Sequence, residues 1–280
     1  MKMGVFLSVI LWAWVLTVGA KNIEPRFDGK KITNDVFWNT AEGMPLYSQG
    51  GGIFRYPDPD TGRLRYYWYG VRYAEAVRYR EDPSVTYPAC TFEAVTCYSS
   101  DDLINWYYEG DVLTREEVDR YGRAGWVGRM GVAYLEAWNQ YVLVVQHDNG
   151  VLFALSHTPN GRFTWHRRIT MEKIIGTPNT GDQTVFVDED TRKPYLIYSY
   201  GRGRNRIYVS EIGIRDGQVD LLDCTQVFKG AGREGNCLFK YEGRYYMCAS
   251  NLYGWDSSFA YYMVANDIRG PYEPVNDMKI

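Results

Sequence analysis

One order of parts recurs four times along this 280-residue chain, and the recurrence limits the fold more than any composition figure does. Each unit opens with a short glycine-containing run into an apolar strand. A Tyr-rich strand follows, then a third strand ending in a polar turn, then a fourth carrying Trp, Tyr or Leu. The strands are predicted at 49–54, 66–70, 92–99 and 105–108, and at 129–134, 141–145, 151–156 and 163–166. They recur at 182–187, 195–198, 206–212 and 219–222, and at 234–239, 245–248, 260–265 and 272–275. Polar turns at 58–62, 189–193 and 241–243 part first strands from second ones, and those at 100–106, 158–163 and 267–272 part third from fourth. Thr114-Arg-Glu-Glu117 is a capping-box candidate between the first two units. Four antiparallel strands per repeat predict an all-β chain folded as a β-propeller, whose blades bury their faces against neighbours and are not stable alone. A β-sandwich is the competing architecture, but a single repeated four-part order favours the propeller. The chain reaches Ile280 directly after a fourth strand, so a final blade is expected to be missing from it.

In a propeller the first strand of each blade lines the axis, so residues distant in sequence meet there. Gln49, Arg129, Asp182 and Glu234 hold the leading ends of the four first strands and are expected to occupy equivalent places and converge. Two are carboxylates, the pair that glycoside hydrolysis requires. One must stay protonated to donate to the departing oxygen, and a neighbouring negative charge favours that state. Asp182 can supply the charge for Glu234, provided Arg233 points away, as alternation along a strand allows. Arg129 can anchor a sugar hydroxyl or orient a carboxylate. The plainer alternative is that these polar residues only cap the funnel mouth.

Gly181-Asp-Gln-Thr-Val-Phe-Val-Asp-Glu-Asp190 resembles the mid-chain Asp motif of glycoside hydrolase family 43. The run from Arg233-Glu-Gly-Asn-Cys-Leu-Phe239 through Ala249-Ser250 to Gly254-Trp255 is similar to that family's general-acid motif. Ser48-Gln-Gly-Gly-Gly-Ile-Phe54, Tyr67-Trp-Tyr-Gly70 and Cys97-Tyr-Ser-Ser-Asp-Asp-Leu-Ile-Asn-Trp106 resemble the opening blade of its exo-β-1,3-galactanase branch. The resemblance implies a five-bladed propeller and an inverting mechanism, with Glu234 as general acid and Asp182 as its pKa modulator. Three departures stand out. Gln49 replaces a His, Gly128-Arg129-Met130 replaces a Glu-Arg-Pro motif whose Glu holds the sugar, and the fifth-blade Gln on which that branch relies has no position in the chain. The catalytic base is therefore unassigned, with Asp35, near the start of the first blade, the remaining candidate.

The rest of the chain bounds the setting. Residues 1–20 have the charged start, apolar stretch and small-residue exit of a signal peptide. That makes 21–280 the propeller domain of a secreted or periplasmic protein with no membrane insertion. A net charge of −3 gives no basic field for nucleic acid. Five cysteines and three histidines lack zinc-site spacing. No cofactor is expected, and no ligand set argues for the axial calcium that some propellers carry. Of 25 Tyr, 11 Phe and 9 Trp, most are expected in sheet packing. Trp126, Trp138 and Trp255 are candidates to line sugar subsites, Trp255 foremost because it follows a motif strand into a glycine-containing loop. The basic run Arg202-Gly-Arg-Asn-Arg206 is expected to be a solvated hairpin; reaching the funnel, it would suit an anionic sugar such as a uronate. His147, His157 and His166 read as packing or exposed residues. The expected partner is a polysaccharide or oligosaccharide. The function expected is exo-acting hydrolysis of a galactose-containing polysaccharide, and the alternative is a glycan-binding propeller without catalysis.

Overall fold

The computed structural model describes residues 31–122, 125–254 and 256–275. The chain divides into two compact units, Met1–Val36 and Phe37–Ile280. The signal peptide expected at 1–20 lies outside the described residues, and Asp35 belongs to the first unit.

The second unit is built from four antiparallel four-stranded meanders. Blade one is β1 (Gln49–Pro57), β2 (Leu64–Tyr73), β3 (Phe92–Ser100) and β4 (Tyr107–Thr114). Blade two is β5 (Val127–Leu135), β6 (Gln140–His147), β7 (Gly150–Ser156) and β8 (Thr164–Ile169). Blade three is β9 (Thr180–Val187), β10 (Pro194–Tyr200), β11 (Arg206–Arg215) and β12 (Gln218–Lys229). Blade four is β13 (Glu234–Tyr241), β14 (Arg244–Ser250), β15 (Ala260–Ala265) and β16 (Glu273–Pro274). The first strands β1, β5, β9 and β13 pack side by side in that order. The propeller expectation holds.

Two local expectations shift. The fourth strand of blade one starts at Tyr107 rather than at 105, because the Asp102 carboxylate accepts the N–H groups of Ile104 and Asn105 and holds them in a turn. Thr114 caps the short helix Arg115–Asp119 by accepting the Glu117 N–H. The capping box is only half made, since the Glu117 carboxylate accepts from the Trp165 N–H instead.

Burial explains why the middle strands read as unbroken apolar runs. Along β6, Leu143 and Val145 join the core between blades one and two, while Val142 and Val144 join the core between blades two and three. Along β10, Leu196 and Tyr198 face blade two, and Tyr195 and Ile197 face blade four. Period-two alternation thus puts apolar residues on both faces of each inner blade. Tyrosines fill these wide layers because their hydroxyls find backbone acceptors on the next blade. Tyr56 donates to Val132 O at 2.7 Å, Tyr69 to Pro159 O at 2.7 Å and Tyr73 to Val127 O at 2.6 Å.

The faces of blade one and blade four that no described blade covers are more open: Ile53, Phe239 and Tyr241 are 48, 45 and 59 % exposed.

The glycine-rich opening of β1 is a requirement of close approach. A Cβ on Gly51 would stand 1.6 Å from the Tyr69 carbonyl oxygen, a backbone atom that cannot swing aside. Gly51→Ala is expected to destabilise the domain by about 3 kcal/mol, a fall in Tm on the order of 6–10 °C. Thermal unfolding followed by circular dichroism measures it, and an unchanged Tm would contradict the close packing of β1 on β2.

Candidate active site

All four first strands start the same way, with one extra residue bulged against the second strand. The register passes from Gln49↔Val71 to Gly52↔Tyr69, from Val127↔His147 to Met130↔Val145, from Thr180↔Tyr200 to Gln183↔Tyr198, and from Glu234↔Ser250 to Cys237↔Cys248. The second residue of every bulge is glycine: Gly50, Gly128, Gly181 and Gly235. Gly50 and Gly235 have φ of +69° and +63°, where a side chain is strained. Gly128 lies under the Trp126 indole, with a Cβ there only 2.1 Å from the ring.

These bulges correct the sequence-based equivalence. Gln49 and Glu234 hold the first place of their bulges, whereas Arg129 and Asp182 hold the third, the place that Gly51 and Asn236 take in the other two blades. The structure brings Arg129 and Asp182 together and sets Asp182 against the backbone beside Glu234. Arg129 Nη2 is 3.4 Å from Asp182 Oδ2. That same oxygen accepts the N–H of Gly235 at 2.9 Å, so Asp182 is anchored to the residue that follows Glu234. Gly50 lies against the Arg129 side chain, 3.6 Å from its Cδ to where a Cβ would be, and Gln49 stands exposed one residue earlier. Trp255 lies outside the described residues.

Buried side chains hold this backbone in place. Gln146 Nε2 donates to Thr180 O at 3.1 Å and to Gly181 O at 2.7 Å. Gln183 Nε2 donates to Arg129 O at 3.3 Å. Asn236 Nδ2 donates to Asp182 O at 2.9 Å and to Ser199 Oγ at 2.8 Å. Each bond ties one blade to the next or fixes a bulge carbonyl, which is the support a preorganised site needs. Tyr73, whose hydroxyl holds Val127 O, has its phenol pushed up to about 12 by burial.

Arg233 points away from Glu234, as the sequence argument required. It is 5 % exposed, its guanidinium lies 4.3 Å over the Tyr261 ring, and Nη1 donates to Asn251 Oδ1 at 2.9 Å. The cation beside Glu234 is instead Arg204, with Nε 3.5 Å from Oε2. The basic run 202–206 therefore reaches the site, contrary to the expectation of a solvated hairpin. Its only sequence signal was three arginines within five residues. Trp126, one of the tryptophans the sequence offered for a subsite, is 47 % exposed beside the Arg129 bulge, a flat apolar face of the kind sugars stack on. Trp138 serves packing, edge-on to His166 at the far end of β5. His166 Nε2 accepts the Val219 N–H, and His147 is buried against Trp165, so both are structural.

Fold and site together define a β-propeller with Asp182 and Glu234 at the leading ends of adjacent inner strands. The chain belongs to family 43 of the glycosyl hydrolases, whose family model matches residues 56–280. An exo-β-1,3-galactanase from Clostridium thermocellum superposes with a TM-score of 0.69 at 27 % identity, over 86 % of this chain and 50 % of that one. An exo-β-1,3-galactanase from Phanerochaete chrysosporium, solved with β-1,3-galactotriose, gives 0.67 at 23 % identity over 85 and 51 %, and supports the fold. A β-xylosidase from Formosa agariphila is 28 % identical over 169 residues, 53 % of this chain. The chain spans 27 % of that xylosidase and about half of the two galactanases.

Proposed function

We propose that this chain is the propeller of an exported, exo-acting glycosidase that cleaves galactose-containing polysaccharide, with inversion at the anomeric carbon. Glu234 is the proton donor to the departing oxygen, and Asp182 is the carboxylate that positions it. The observation that carries this reading is the Asp182 hydrogen bond to the N–H of Gly235, which keeps a second carboxyl group at the residue next to Glu234. Likeness to the Clostridium thermocellum galactanase directs the choice of sugar. Arg129 and Trp126 are the groups available to hold and stack the sugar. A glycan-binding propeller is the second reading, favoured by one observation: Glu234 is engaged in an ion pair with Arg204 at 3.5 Å, a contact that a purely structural carboxylate also makes.

The test is incubation of the full-length protein with β-1,3-galactan, arabinogalactan and xylo-oligosaccharides, with product anomers followed by proton NMR. The expected result is release of galactose, first as the α-anomer. Release of xylose alone would redirect the substrate, and binding of galactan without any release would establish the second reading.

A further inference from the structure

We propose that Arg204 forms a subsite for a carboxylate-bearing sugar, a uronate residue, directly beside Glu234. This rests on the reading of Glu234 as proton donor. The turn that carries Arg204 is held from both sides. Gly203 and Arg204 both have positive φ, +73° and +49°, a conformation that disfavours a residue with a side chain. The Arg204 carbonyl accepts the Arg233 N–H at 2.8 Å, and the Asn205 carbonyl accepts the Gly230 N–H at 3.0 Å. The Arg204 Cγ lies on the Gly181 bulge, 3.0 Å from where a Cβ would be. A basic side chain is thus fixed at the junction of blades three and four despite unfavourable backbone geometry.

Its hydrogen-bonding capacity is largely unspent. Among the described residues its one ion pair is with Glu234, at 3.5 Å through Nε, and that buried Nε makes no hydrogen bond. The side chain is 37 % exposed, and Arg202 stands exposed two residues earlier on the same turn. The forked Nη edge of a guanidinium is matched to a carboxylate.

Charge balance gives the reason for an anion. At rest, Arg129 is paired with Asp182 and Arg204 with Glu234. A working general acid is protonated, which leaves Arg204 without a counter-charge. A uronate carboxylate on the Nη edge restores it.

The experiment compares D-galacturonate with D-galactose, which differ only in a carboxylate at C6, by titration calorimetry of the full chain at about pH 6. Galacturonate is expected to bind about tenfold more tightly, and the advantage is expected to shrink as salt rises to about 0.5 M. Arg204→Gln, checked for folding by circular dichroism, is expected to abolish the preference, and Arg204→Lys to keep part of it. Equal binding of the two sugars by the wild type, or a preference that salt leaves unchanged, overturns the proposal. So does a preference that survives Arg204→Gln. Galactan cleavage without a galacturonate preference removes the subsite and leaves the hydrolase reading standing. A galacturonate preference without galactan cleavage supports the subsite and counts against the hydrolase.

Discussion

Glu234→Gln is expected to lower turnover of galactan by about 10²–10⁴-fold, the usual contribution of a positioned general acid. The amide keeps the shape and the place at the head of β13 but has no acidic proton to give. The effect depends on the leaving group. A natural sugar leaves as an alkoxide unless it is protonated, whereas a dinitrophenolate leaves without help. The loss on a dinitrophenyl β-galactoside is therefore expected to be far smaller than on galactan, with sugar binding nearly unchanged. Steady-state kinetics on both substrates measure it. Wild-type turnover of galactan by Glu234→Gln would remove the residue from the acid role, and equal losses on both substrates would assign it a structural one. Asp182→Asn keeps an oxygen for the Gly235 N–H but drops the charge that pairs with Arg129. Its turnover is expected to fall as well, through lost positioning.

Asp188→Ala is expected to destabilise the domain by about 3 kcal/mol, because it removes the acceptor of two turn N–H groups and of the buried Tyr245 hydroxyl and leaves Lys240 with Asp190 alone. Asp188 is 1 % exposed in the turn between β9 and β10. It accepts the N–H groups of Asp190 at 3.0 Å and Thr191 at 2.9 Å. From blade four it accepts Lys240 Nζ at 3.1 Å and the Tyr245 hydroxyl. One carboxylate thus closes a hairpin and clamps two blades. Burial pushes its pKa up, but the hydrogen bonds from Tyr245, Thr191 and Lys240 outweigh burial and hold it at about 2. The unfolded value is about 3.9, so the stabilisation is complete above about pH 4 and is lost as pH falls through about 2. Urea unfolding at several pH values should show the gap between wild type and Asp188→Ala narrowing over that window. A gap under about 1 kcal/mol at neutral pH, or one that does not change with pH, would contradict the clamp.

The same turn shows how far sequence reaches. Asp58 and Asp188 each open an Asp-x-Asp-Thr stretch between a first and a second strand. Both accept the N–H of a threonine three residues on, Thr61 and Thr191. That much is local chemistry, and the sequence reads it as a turn. Lys240 and Tyr245, about fifty residues further along, carry no mark of their pairing with Asp188, because blade packing alone brings them there.

The repeat of four strands, the alternation that buries both faces of β6 and β10, and the bulge glycines are all written in the amino-acid order. They depend on interactions within a few residues and on a period of two. The family follows from the same residues, and so does the prominence of Arg129, Asp182 and Glu234. The packing of blades decided the rest. It placed Arg129 and Asp182 at the third residue of their bulges, since an extra residue changes which side chain turns toward the axis. It sent Arg233 into blade four and put Arg204, thirty residues earlier in the chain, against Glu234 in its stead. The charge neighbouring a carboxylate is a matter of a few ångströms, and in this fold those ångströms separate residues of different blades.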